Sequence, residues 1–245
     1  MSKTIIDAYE IEEDPFFAMD LAQMAKARNY MAWQFQLIKP YLGRSILEIG
    51  GGIGNFTTRL ADCADQVISI EPNQHCFAKL VEKTAHLNNV TAHHTTAEDL
   101  ADLIPEGYKA DTIVCMNVLE HLKDDVLAIN TFCRYLKSGG NLVLINPAVP
   151  WIFGVIDRKL GHYRRYSKQS TLDLLAATGL KPVELHYFNF IGVWAWWWNA
   201  RVAKAETQSN FQIKVFDKLI VPIASRLEAL VPLPVGQSLL VVAEK

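Results

Sequence analysis

The chain has 245 residues, 24 basic and 26 acidic, with a formal net charge of −2. That length suffices for one α/β domain with a substantial core, and the near-neutral balance excludes a broad electrostatic footprint for nucleic acid. Four cysteines (Cys63, Cys76, Cys115, Cys133) stand far apart with no C-x-x-C pair, so the spacing argues against a zinc ribbon or thioredoxin-like site and for reduced thiols in a cytoplasmic protein.

The N-terminus carries no apolar signal core, and no run reaches the ~18–20 apolar residues of a spanning helix. Residues 1–14 are polar and acidic and predict a loose arm. From Pro15 to Tyr41, apolar residues recur at three- and four-residue steps, which predicts one helix closed by Pro40 and Gly43. Strands and helices then alternate. Strands are expected at 46–49, 66–70, 90–94, 112–116, 141–146, 183–188 and 238–242. Helices are expected at 55–63, 74–86, 123–136 and 168–178, the last ending at Gly179. The turn Ser138-Gly139-Gly140 is expected to lead into the fifth strand. This alternation implies an α/β fold with a doubly wound, mostly parallel seven-stranded sheet. The run before the last strand holds an aromatic cluster (Phe188, Phe190, Trp194, Trp196, Trp197, Trp198) and an amphipathic stretch from Phe211 to Leu230. The expected organisation is a single domain: a helical cover over 1–42, a core over 43–188, a lid over 189–236 and a last strand over 237–245.

The densest signal lies at Glu48-Ile49-Gly50-Gly51-Gly52-Ile53-Gly54. A short buried strand enters a turn whose glycines let backbone approach a bound molecule closely. The following helix points free N–H groups at that molecule. A dinucleotide fingerprint needs its third glycine at position 55, and Asn55 stands there. Strand two ends at Glu71, about 20 residues after the turn, where a carboxylate can accept both hydroxyls of an adenosine ribose.

The segment resembles motif I of the class I S-adenosylmethionine (SAM) dependent methyltransferases, E/D-x-G-x-G-x-G. Two further segments extend the likeness. Thr95-Thr96-Ala97-Glu98-Asp99-Leu100 is similar to the family's adenine-binding turn, with Thr96 where Asp is usual. Asn117-Val118-Leu119-Glu120-His121-Leu122 is similar to the segment after its fourth strand. The resemblance implies a Rossmann-like methyltransferase fold, SAM as cofactor with S-adenosylhomocysteine as product, and methyl transfer to O or N of a small-molecule acceptor. It implies cofactor contacts at Tyr30, Glu48, Gly50, Gly52, Gly54, Glu71, Thr96, Ala97, Glu98 and Asn117. Candidate catalytic groups are His121, whose ordinary pKa lies near neutrality, and His162 and Tyr163 in a basic loop after strand five. Glu120, Arg164, Tyr166 and Trp194 are candidate acceptor contacts, Arg164 by the two-pronged contact that guanidinium makes with carboxylate or phosphate. No metal site is expected. The Trp cluster suits a lid or a subunit contact, so a homodimer is possible, with peripheral membrane contact as a minor alternative. Two other functions share part of the pattern. An NAD(P)-dependent oxidoreductase has the same sheet and acidic strand tip but leaves residues 117–122 unexplained. A non-catalytic SAM-fold binding module has no need of an intact glycine turn.

Overall fold

The computed structural model describes residues 15–104, 107–198 and 210–245, so the expected arm over 1–14 lies outside the described residues. Seven strands form one sheet in the order β3-β2-β1-β4-β5-β7-β6. They are β1 (Ser45–Ile49), β2 (Gln66–Ile70), β3 (Val90–His93), β4 (Ala110–Met116), β5 (Leu136–Pro147), β6 (Lys181–Phe188) and β7 (Ser238–Glu244). β1 to β5 pair in parallel, and β7 runs antiparallel between β5 and β6. The expected doubly wound, mostly parallel sheet is present.

The central strands are apolar on both sides because both sheet faces are covered. Successive side chains alternate across a strand. Leu47, Ile49, Ile113, Cys115, Leu142 and Leu144 therefore join one core. Ile46, Val114, Val143 and Ile145 join the other. On the first face lie Ile129 and Phe132 of α6 (Asp125–Arg134) and Leu174 and Leu175 of α8 (Lys168–Thr178). On the second lie Trp33, Phe35 and Ile38 of α2 (Arg28–Ile38), Leu60 of α3 (Thr57–Ala61) and Val221 and Ala224 of α11 (Val221–Glu228). The remaining helices are α1 (Pro15–Met24), α4 (Gln74–Thr84), α5 (Leu100–Leu103), α7 (Val155–Lys159), α9 (Phe190–Trp198) and α10 (Asn210–Val215). No helix of the described residues is long and apolar enough to cross a membrane.

Local signals set several boundaries. Asn73 accepts from the Cys76 N–H at 2.9 Å to open α4, and Ser167 accepts from the Ser170 N–H at 3.1 Å to open α8. Gly179, at φ 72°, closes α8 in the left-handed conformation.

Three expectations are corrected. The single helix over 15–41 is two, broken at 25–27. Ala27 offers α2 no side-chain cap. The Asp217 carboxylate does so instead, accepting from the Tyr30 N–H at 2.9 Å, while the Asn29 side chain donates to the Asp217 carbonyl at 3.0 Å. Residues 138–140 are not a turn ahead of β5 but part of it. Gly139, at φ 75°, donates to Lys245 O at 2.9 Å, and Lys245 donates back to Gly140 O at 3.1 Å, so the edge of β7 keeps this kinked stretch in register. The segment after β5, expected as loop, contains α7, and the aromatic cluster forms α9.

The Asp217 cap joins the first and last quarters of the chain. Asp217→Ala is expected to lower unfolding stability by about 1–2 kcal/mol, read as a lower urea midpoint at unchanged slope. Asp217→Asn, which can still accept from Tyr30, should lose less.

Candidate functional site

A cavity of about 1030 Å³ opens at the C-terminal edge of the parallel strands, where open α/β sheets place their ligands. Its walls come from the glycine turn, the tips of β2, β4 and β5, the segment 159–165, and helices α1, α2, α9 and α10. Three residues other than glycine with positive φ mark this edge: Asn117 (53°) after β4, Val149 (64°) after β5 and Asn189 (62°) after β6. Asn adopts that conformation at modest cost, while a β-branched Val is strained there.

One wall is backbone. Gly50 and Gly52 line it at φ 76° and 56°. A Cβ on Gly50 would lie 2.3 Å from the Val118 side chain, so neither conformation nor space admits a larger residue. Glu71 bounds the turn, its Oε2 accepting from the Gly52 N–H at 2.7 Å and its Oε1 from the Asn73 N–H at 2.9 Å. Burial raises its pKa to about 7 against the opposing effect of those two bonds. Glu48 reaches the wall, but its Oε2 is held by the Thr57 hydroxyl at 2.6 Å and the Ser69 hydroxyl at 2.7 Å. Thr96, Ala97 and Glu98 also line the cavity. The Thr96 hydroxyl donates to Asp99 at 2.8 Å and accepts from the Asp99 N–H at 3.2 Å, so it caps the turn into α5. Tyr30 and Asn117 complete this half.

The opposite wall is ionisable. Glu120 is buried, and neither carboxylate oxygen has a hydrogen-bond partner among the described residues. Burial raises its pKa to about 7, opposed by His162 and Arg165. His121 packs edge-on against His162 with ring centroids 4.7 Å apart. Burial, then the neighbouring His162, lowers the His121 pKa to about 3. His162 Nδ1 lies 3.1 Å from Asp157 Oδ1. That oxygen also accepts from Arg165 Nε at 2.6 Å, and Asp157 Oδ2 from the Gly154 N–H at 2.8 Å. Burial works to raise Asp157, but the His162 bond and the Arg165 charge outweigh it and hold the carboxyl below its ordinary value. Glu120, His121 and His162 bring ligand-type atoms within 4.8 Å of one another, close enough for a divalent cation to bridge them. No such cluster was expected, because sequence spacing alone does not bring His162 to Glu120.

The structure gathers most of the expected residues around this cavity but not all. Gly54, Arg164, Tyr166 and Trp194 are not on its wall. Gly54 sits behind the turn, where a Cβ would meet Leu80 at 3.2 Å. Arg164 is engaged outside, with Asp125 at 2.9 Å and the Lys123 carbonyl at 2.6 Å. Tyr166 is buried with its hydroxyl 3.1 Å from Asp125. Trp194 is exposed on the outer face of α9, while Trp196 and Trp198 line the cavity. Tyr163 stands half-exposed at the rim, its N–H donating to Glu120 O at 2.8 Å. The residues that sequence reasoning missed are Asp157 and Arg165. Their one visible signal was an acidic residue eight positions before a second arginine.

Comparison with known proteins gives a family match and several partial likenesses. A family model described as "Methyltransferase domain" matches residues 20–189. The chain is 29% identical over 174 residues to a ubiquinone biosynthesis O-methyltransferase of Cereibacter sphaeroides, covering 64% of this chain and 68% of that protein. It is 30% identical over 118 residues to a tRNA U34 carboxymethyltransferase of Pseudomonas paraeruginosa, covering 46% of this chain and only 36% of that protein. Among solved structures, the N-methyltransferase NodS of Bradyrhizobium japonicum in complex with S-adenosylhomocysteine superposes with a TM-score of 0.56 at 16% identity, covering 95% and 99% of the two chains. The [4+2]-cyclase SpnF superposes with a TM-score of 0.58 at 20% identity, covering 86% and 80%. At such identities the structural likeness shows the fold alone.

The isolated Glu120 carboxyl makes a stability prediction. Its pKa is about 7 when folded and about 4.3 in an unfolded chain. The folded state therefore holds this proton more tightly, and the cost of ionising it is absent below the unfolded value, grows as pH rises and is complete above the folded value. Glu120→Gln removes that cost. The variant should match the native protein in urea unfolding near pH 4 and exceed it by up to about 4 kcal/mol at pH 8.

Proposed function

The chain belongs to the methyltransferase-domain family, and on that premise we propose that it transfers a methyl group from SAM to an oxygen or nitrogen of a small molecule bound against the Glu120 wall. The observation that carries this is one cavity lined by two unlike groups: bare glycine backbone ending on Glu71, and a cluster of Glu120, His121 and His162.

SAM fits the first group. A nucleoside needs close backbone approach and a fixed acceptor for its ribose hydroxyls. The Gly50–Gly52 turn leaves no room for a Cβ, and the two backbone bonds to Glu71 hold its carboxylate plane. Tyr30, Gly50, Gly52, Glu71, Thr96, Ala97, Glu98 and Asn117 would hold the cofactor. Glu48 and Gly54 would act from behind, shaping the turn. Bound there, SAM supplies an electrophilic methyl on a sulfonium.

The protein's part in the chemistry is alignment and proton removal. Holding donor and acceptor in line in a closed site can lower a barrier by roughly 7–11 kcal/mol at best. His162 is the base: Asp157 at Nδ1 fixes the orientation of the ring, leaving Nε2 for the acceptor proton. His121, depressed to about 3, stays neutral and shapes the wall. Glu120 orients the acceptor, and Tyr163 guards the rim. A net charge of −2 and an interior lined by Trp196, Phe216 and Ile220 favour a small molecule over a polynucleotide.

The test is incubation with SAM and a metabolite extract, with a tRNA arm in parallel, seeking a product one methylene heavier. Methylation only in the tRNA arm would overturn the small-molecule reading. In thermal shift, SAM and S-adenosylhomocysteine should stabilise the protein and NAD(P) should not. Glu71→Ala should weaken SAM binding about 10- to 100-fold, the value of hydrogen bonds to a charged group.

His162→Gln should lower kcat about 10²–10⁴-fold with little change in SAM affinity. His121→Gln should cost far less. Equal losses in the two variants would remove the base from His162.

A further inference from the structure

We propose that the outward face of residues 210–231 docks the protein on an anionic phospholipid surface. The segment buries Ile213, Val221 and Ala224 on its inner side, yet its outer side, polar in an ordinary amphipathic helix, is apolar too. Leu219, Ile223, Leu227 and Leu230 recur at helical spacing, and they are 63%, 62%, 60% and 79% exposed. Phe211 and Val231 extend the same exposed apolar surface at its two ends. Single exposed leucines are ordinary, but a continuous stripe marks a surface that is covered in use.

The charges on the face identify its occupant. Lys214, Lys218 and Arg226 are exposed, while the two acidic residues of the segment, Asp217 and Glu228, are 5% and 6% exposed. Both face inward. Asp217 accepts from the Tyr30 N–H, and Glu228 accepts from the Asn189 N–H at 2.7 Å and the Phe190 N–H at 3.0 Å. The outer face is therefore apolar and purely basic on a chain whose net charge is −2. An apolar helix face flanked by Lys and Arg suits the boundary between lipid headgroups and acyl chains. A twofold contact between copies of this chain sets the same patch against itself and brings like charges together. Exposed Trp194, Trp197 and Trp198 of α9 add the side chains that settle at membrane interfaces. Glu228 binds the start of α9 to the end of α11, so the two surfaces are held by one side chain. Phe211 is exposed and also lines the cavity, which sets the cavity mouth beside the docked face.

The test is flotation of the full chain with vesicles of phosphatidylcholine alone or mixed with phosphatidylglycerol. Binding to the mixed vesicles should exceed binding to the neutral ones at least about tenfold and weaken as salt rises. The double variant Ile223→Glu/Leu227→Glu should lose that binding while keeping its melting temperature and SAM-induced thermal shift. Lys214→Glu/Lys218→Glu should lose the preference for anionic vesicles. The proposal is overturned if the native chain binds neither vesicle, or if the Glu variants bind as well as it does. It is equally overturned if the face instead supports a salt-insensitive dimer in size-exclusion chromatography that Ile223→Glu/Leu227→Glu dissociates, with no vesicle binding. None of these outcomes depends on methyl transfer.

Discussion

The buried Asp157 carboxylate is the interaction on which the reactive wall depends. Removing an ion from water costs several kcal/mol even after relaxation, so such a group persists only where donors surround it. Asp157 has the Gly154 N–H, Arg165 Nε and His162 Nδ1, with Trp196 Nε1 at 3.4 Å. These donors come from the start of α7, from the loop after it and from α9. One anion therefore ties three segments together and leaves the His162 ring little freedom to turn. Arg165 also donates to the Ala148 carbonyl at 2.9 Å, which fastens the knot to the end of β5. The Tyr163 N–H on the Glu120 carbonyl fastens it to the tip of β4. Precision at the reactive wall follows from packing a charge where water cannot compete for it.

The glycine wall is built by the opposite means. It relies on backbone conformation, and its cost is strain rather than desolvation. Asn117 stands on this wall at positive φ, a modest cost for Asn and of order 1–3 kcal/mol for a strained residue such as Val149, and Asn117, Val149 and Asn189 all lie just past the ends of parallel strands. There the chain must turn sharply away from the sheet to leave the edge open. The two walls share one property. Each carries a carboxyl raised to about 7 by burial, Glu71 on one side and Glu120 on the other. A cation entering between them favours the ionised form of both.

Much of this was legible because it is local. β2 begins and ends where the apolar run does, and α8 where Ser167 and Gly179 place it, since a cap or a left-handed glycine acts within one turn. The glycine turn and Glu71 were legible for the same reason. The failures share a different cause. The break between α1 and α2 depends on Asp217, 187 residues away from Tyr30. Arg164 and Arg165 are neighbours of the same type, and sequence gives no ground for saying which one enters the core. Trp194 was the expected acceptor contact, whereas Trp196 lines the cavity. Trp194 and Trp196, two apart on a helix, point to nearly opposite faces, and Trp198 at the end of the helix is exposed yet borders the cavity. Choosing between them required knowing that the aromatic run is helical, and its continuous apolarity hid the period.

The segment 210–231 shows how burial and charge can be coupled through capping. A helix N-terminus exposes free N–H groups that favour an anion. α2 has no side-chain cap of its own and takes one from Asp217, whereas α9 is capped by Asn189, which accepts from the Gly192 N–H at 3.0 Å, and Glu228 adds acceptors for the Asn189 and Phe190 N–H groups. Supplying those caps draws Asp217 and Glu228 inward. Pro222 fits the same picture, because it lacks the N–H that would bond the Lys218 carbonyl, and the wider π turn at Phe216–Ile220 lies just before it. With its acids committed to other helices, the segment has no carboxylate left to face outward among its lysine, arginine, apolar and neutral polar side chains. The basic, apolar surface is therefore a consequence of how this segment is anchored. Any change that exposed either acid would loosen its hold on α2 or α9 and alter the charge of the outer face together.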